Sequence, residues 1–126
     1  MALEHVEGAT ELWIQDILIA LLKGLQRKNP VVLETGGFMG HTSVRLFTAL
    51  AEIGGGELIV AEWDPEAPDR AQAVDDRLDA LNVALYQSNV KWSVRQQDAL
   101  EVIRSLPDAS LDFAYLDDAH DKPHVE

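Results

Sequence analysis

Glu34, Glu62, Asp98 and Asp117 each end an apolar run or stand just past one, and each leads into residues that turn the chain. In open α/β sheets such positions rim the crevice where small ligands bind. The first is the most informative. In Val31-Val32-Leu33-Glu34-Thr35-Gly36-Gly37-Phe38-Met39-Gly40-His41-Thr42, a β-branched run ends in a carboxylate, crosses a G-x-x-x-G turn and enters a helix. Gly36 and Gly40 permit positive φ and close backbone approach, while the helix start offers unbonded N–H groups and the positive end of its dipole. That turn suits a carboxylate or a phosphate. Glu34 would repel a pyrophosphate, and the chain has neither G-x-G-x-x-G spacing nor a G-K-[ST] lysine. A zwitterionic amino acid satisfies both features, with its carboxylate on the helix N-terminus and its ammonium near Glu34.

Glu62 closes the apolar run Leu58-Ile59-Val60-Ala61 well downstream of the glycine turn. A carboxylate there can accept two hydroxyl hydrogen bonds, as the ribose-binding acids of Rossmann-like sites do. The alternative makes Glu62 and Asp64 solvated loop acids, with Asp64-Pro65 opening the next helix. Asp98, in Gln96-Gln97-Asp98-Ala99-Leu100, is equally suited to cap a helix. Asp117, Asp118 and Asp121 read by themselves as ordinary turn acids, and His120 among them as a solvent-exposed loop histidine.

The glycine-turn segment resembles the first motif of the class I S-adenosylmethionine-dependent methyltransferases. Within these it is similar to the small-molecule, catechol O-methyltransferase-like enzymes, whose pattern runs E-x-G-x-x-x-G-[YH]-[ST]. Glu34, Gly36, Gly40 and Thr42 fit that pattern, and three further stations follow in the family's order. The resemblance implies S-adenosylmethionine as cofactor. It places Glu34, Gly36, Gly37, Phe38, Gly40, His41 and Thr42 around the methionine end, and Glu62 on the ribose. Trp63 becomes a plate for the adenine, with Gln97, Asp98 and the backbone of Ala99 at the adenine edge. Asp117 would orient the cofactor's amino group or ligate a divalent cation, typically Mg²⁺, and His120 would be the general base for an acceptor hydroxyl. Those residue types suit methyl transfer, an in-line displacement in which the acceptor must be aligned and deprotonated. Two other readings stay open: a non-catalytic module binding S-adenosylmethionine or S-adenosylhomocysteine, and an NAD-binding Rossmann protein for which Glu62 alone would serve.

The elements that must position these residues follow from periodicity. Trp13, Ile14, Ile17, Leu18, Leu21 and Leu25 predict an amphipathic helix over about 9–28, ended by Asn29-Pro30, within an N-terminal segment 1–30. A strand is expected at 31–35, then a helix with Val44, Phe47, Leu50 and Ala51 on one face, closed by Gly54-Gly55-Gly56. A second strand spans Glu57 to Glu62, and a helix over about 68–86 turns Val74, Leu78, Leu81 and Leu85 inward. A third strand at 90–95, a helix from Asp98 to Leu106 and a fourth strand from Leu111 to Asp117 complete the order. Alternating strands and helices imply one Rossmann-like α/β domain over 1–126 with a parallel sheet and right-handed crossovers.

In the resembling family the sheet has seven strands, ordered 3-2-1-4-5-7-6. The expectation here is therefore a 3-2-1-4 sheet without strands 5 to 7, the cofactor-binding half of a longer enzyme. The fourth strand, apolar on both faces, would then be an uncovered edge through which the chain could form a homo-oligomer. A formal charge of −12 with only ten Lys and Arg disfavours a nucleic acid acceptor. The longest apolar stretch, Ile17 to Leu22, is too short to cross a bilayer, and no cysteine is present for a disulfide or thiolate site. A cytoplasmic protein acting on a small-molecule acceptor, without a membrane partner, is the resulting expectation.

Overall fold

Val31–Thr35 (β1) carries three β-branched residues in five, and all but the first are buried. Such a run needs cover on both faces, as strands inside parallel sheets do. The computed structural model, which describes residues 12–35, 40–63, 66–86 and 88–116, puts β1 inside a four-stranded parallel sheet. Its neighbours are Gly56–Ala61 (β2) on one side and Phe113–Leu116 (β4) on the other, with Val90–Arg95 (β3) beyond β2. The order is β3-β2-β1-β4, as the family resemblance implied, and the parallel pairing is what the alternation of elements led one to expect.

The helices are Leu12–Gly24 (α1), His41–Ile53 (α2), Asp69–Ala84 (α3) and Ala99–Ser105 (α4). The larger core lies on the face carrying Val32, Leu58 and Val60, where Leu22 of α1, Leu46, Phe47 and Leu50 of α2, and Val74 and Leu78 of α3 pack together. Phe47 meets Trp92 edge-on, with ring centroids 5.5 Å apart. On the opposite face Leu33, Ile59 and Ala61 pack against Val102 of α4.

Several boundaries differ from the sequence expectation for local reasons. The first helix stops at Gly24 rather than near residue 28: Leu25 and Gln26 make only turn bonds to Leu22 and Lys23, and Gln26 and Asn29 adopt left-handed φ of 53° and 48°. The expected fourth strand at 111–117 is shortened to Phe113–Leu116. Asp112 bends out to accept the Val31 N–H on Oδ2 at 2.9 Å, while its own N–H bonds the Val31 carbonyl. The second strand begins at Gly56 and closes at Ala61, so Glu62 stands just beyond it.

A larger correction concerns α1. The stripe read as inward is largely outward: Trp13 is 61% exposed, Ile17 50% and Leu21 57%, and Leu25, beyond the helix, is exposed too. The buried residues are Gln15, Leu18 and Leu22, with Ile19 against the core. This helix is apolar around most of its circumference, so period alone does not select the buried side. Two ion pairs fix its roll against α2: Asp16 with Arg45 and Lys23 with Glu52, both at 2.6 Å.

Candidate functional site

The chain runs β1, β2, β3 in one direction across the sheet and then returns to add β4 on the far side of β1, which makes the β1/β4 boundary a topological switch point. Register aligns the strand ends: Thr35 pairs with Ala61 and with Leu116, and Ala61 with Arg95. The segments after β1, β2 and β3 therefore leave from one end of the sheet. Of the expected site residues, Glu34, Gly40, His41, Thr42, Glu62, Trp63, Gln97, Asp98 and Ala99 occupy that end. Gly36, Gly37, Phe38, Asp117 and His120 lie outside the described residues.

Glu34 points to the α2 side, in register between Val60 and Tyr115, and is only 1% exposed. Ser43, fully buried in the first turn of α2, donates its Oγ–H to Glu34 Oε1 at 2.5 Å. The charge at the tip of β1 thus ties the strand to the helix that follows the glycine turn. Ser43 was not singled out in the sequence. Its signal was indirect, since a carboxylate inside an apolar strand must find a buried donor.

Gly40 is the N-cap of α2, with φ 83° and ψ 13°. A Cβ there would lie 3.2 Å from Arg77 Cδ and 3.8 Å from Val74 Cα. The left-handed backbone favours glycine there whatever the turn binds, and a Cβ would also press on the Arg77 side chain of α3. A glycine has no side chain to close the helix start, and the first turn of α2 carries no acid. Thr42 is buried beside it, and His41 is half-buried. Burial, assisted by the nearby Arg77 charge, lowers the His41 pKa from its ordinary value.

Glu62 is 5% exposed, which removes the reading of it as a solvated loop acid. Its N–H bonds the Arg95 carbonyl at 2.9 Å, extending the β2–β3 ladder by one step and fixing the carboxylate at the sheet's end. Trp63, the next residue, is 54% exposed. After β3, Gln96 donates to the Pro68 carbonyl and Gln97 is exposed. Asp98 occupies the N-cap position of α4 with extended backbone, yet its carboxylate makes no capping hydrogen bond. The cap reading thus holds for its place in the chain and not for its side chain. Ala99 opens α4 and is half-buried.

One end of the sheet thus carries two buried acids, a helix start with a glycine N-cap and an exposed indole. A family model described as a methyltransferase domain matches residues 33–126, which include every one of these positions. The chain belongs to that family. The sheet order and the glycine turn agree with the class I resemblance drawn from the motif. Among solved structures, the O-methyltransferase TomG from Streptomyces achromogenes, involved in tomaymycin synthesis and crystallised with S-adenosylmethionine, matches at 24% identity with a TM-score of 0.61. The match covers 88% of this chain and 46% of TomG, so the methyltransferase domain described here spans about half the length of that neighbour. No curated protein matches the sequence. Among the described residues no group of three His, Cys, Asp or Glu is arranged to hold a metal ion, and no helix is long and apolar enough to cross a membrane.

Proposed function

We propose that this methyltransferase domain binds S-adenosylmethionine at the carboxyl ends of β1, β2 and β3 and serves transfer of a methyl group to a hydroxyl of a small molecule. The observation that carries the reading is Glu62, a carboxylate buried at the tip of β2 beside an exposed tryptophan. A buried acid at this register suits a pair of vicinal hydroxyls, and an open indole face suits a purine. The cofactor supplies the sulfonium-bound methyl group. Glu34, braced by Ser43, sets the lead-in to the turn, and its charge favours an ammonium. The turn residues Gly36, Gly37 and Phe38, together with Gly40, His41 and Thr42, surround the amino-acid end. Glu62 holds the ribose, and Trp63, Gln97, Asp98 and Ala99 meet the adenine.

The hydroxyl acceptor is supported by the family resemblance and by the O-methyltransferase activity of TomG. The net charge of −12 favours a small molecule over nucleic acid. In this reading His120 takes the acceptor's proton and Asp117 orients the cofactor's amino group. Among the described residues no carboxylates assemble a cation site, and Asp117, the expected cation ligand, lies outside them.

Calorimetric titration with S-adenosylhomocysteine, with NAD as control, tests the proposal. Selective binding of S-adenosylhomocysteine is expected, and Glu62→Gln should weaken it by about 1–3 kcal/mol through loss of charged hydrogen bonds. Preference for NAD, or an affinity unchanged by Glu62→Gln in a folded protein, would refute it.

A further inference from the structure

Arg77 of α3 places a positive charge at the end of the sheet where the cofactor is proposed to bind. α3 begins at that end: Gln96, just past β3, donates to the carbonyl of Pro68, the N-cap of α3, at 3.3 Å. Side chains lean toward the N-terminus of their own helix, so those of α3 lean toward the strand ends. The Arg77 side chain passes over the start of α2, with its Cδ 3.2 Å from the position a Cβ on Gly40 would take. Its charge reaches the next residue: burial and then Arg77 hold the His41 pKa below its ordinary value. Arg77 is exposed and, among the described residues, has no carboxylate partner, whereas Lys23, Arg27 and Arg45 are all ion-paired. The acids of its own helix are turned elsewhere, Asp75 accepting from Trp92 and Asp76 from Gln72.

We propose that Arg77 pairs with the carboxylate at the amino-acid end of the ligand and selects ligands that carry one. The inference rests on the S-adenosylmethionine site proposed for this end of the sheet. A zwitterionic amino acid presents two opposite charges, and the protein offers two in return. Glu34 reaches the first turn of α2 from the sheet, and Arg77 reaches the start of the same helix from α3. The buried carboxylate suits the ammonium, while the guanidinium fork matches both oxygens of a carboxylate. The first turn of α2 carries no acid that would neutralise Arg77 in the ligand's place. Because the guanidinium stands in water, the pair contributes modestly, about two- to five-fold in affinity, and less at high salt.

Calorimetry with S-adenosylhomocysteine and with its decarboxylated analogue, which keeps the ammonium, separates this role from a structural one. Arg77→Gln, at an exposed position, should weaken S-adenosylhomocysteine about two- to five-fold and leave the analogue unchanged or slightly tighter. Arg77→Lys should retain most of the affinity, and high salt should narrow the gap between parent and Arg77→Gln. Without ligand, NMR titration should show the His41 imidazole protonating at higher pH in Arg77→Gln than in the parent. Equal losses for both ligands would make Arg77 a structural residue and overturn the inference. Unchanged affinity of Arg77→Gln for S-adenosylhomocysteine, or an unchanged His41 titration, would overturn it too while leaving the cofactor site intact. A folded parent that binds neither ligand would refute the cofactor site itself, and this assignment with it.

Discussion

Replacing Ser43 by alanine tests how the site is braced. The hydroxyl donates to a carboxylate oxygen that water scarcely reaches, since Glu34 is 1% exposed and Ser43 fully buried. Losing one donor to a buried charged acceptor costs about 1.5–3 kcal/mol. Alanine returns about 0.5 kcal/mol of helix propensity, which leaves a net loss of about 1–2.5 kcal/mol. For a domain of this size that lowers Tm by roughly 3–8 °C, readable in a thermal melt followed by circular dichroism at neutral pH. Thr48→Ala is the matched control: Thr48 Oγ1 donates only to the Val44 carbonyl of its own helix, and its removal should change Tm little or raise it. S-adenosylhomocysteine should also bind more weakly to Ser43→Ala, because the strand and helix flanking the glycine turn lose their tie. A Tm within about 1 °C of the parent would mean that Glu34 does not depend on Ser43, and the brace would have to be abandoned.

Gly40→Ala should cost about 1–2 kcal/mol from the left-handed backbone alone. Adding Arg77→Ala should recover only the part due to the 3.2 Å contact, as comparison of the two denaturation midpoints would show. Asp112→Ala should lower stability by about 1–3 kcal/mol by freeing the Val31 N–H. Asp112→Asn keeps that acceptor and loses only the ion pair with the largely exposed Arg27, so urea unfolding should place it near the parent. His41 gives a pH dependence. Its folded pKa lies below the unfolded value near 6.5, so the unfolded chain takes up a proton first and stability falls as pH drops through 6.5 toward the folded pKa, with no contribution above 6.5. The Tm difference between the parent and His41→Gln should therefore shift against the parent between pH 7.5 and pH 5.5, and a constant difference would count against a buried neutral imidazole.

Much of this architecture was legible in the residues. Strands 31–35 and 90–95 stand where they were read, because β-branched runs bounded by Pro30 and by turn residues admit little else. The inward face of α3 through Val74 and Leu78 was legible for a related reason: acids such as Asp76 and Asp79 mark the opposite side of that helix, which stays in solvent. The glycine-rich segment after β1 and the acid at Glu62 marked the end of the sheet at which the strands stop, since a strand-to-helix turn and a strand-ending carboxylate are local features of the sequence.

What the sequence left open was settled where the choice depends on neighbours distant in the chain. The apolar stripe of α1 was misread because the helix is apolar around most of its circumference; contact with α2 chose Leu18 and Leu22 and turned Trp13 and Ile17 outward. The donor for Glu34 came from nine residues away and the partner of Val31 from eighty-one, distances at which only the folded sheet brings groups together. The passage of α3 beside Gly40, which gives that glycine a structural reason besides any ligand, was likewise visible only in the folded chain. Local sequence determined which segments are strands and helices and which strand ends carry acids. Tertiary packing decided which of those acids are buried and what braces them, because burial belongs to the assembled layers and to no single segment.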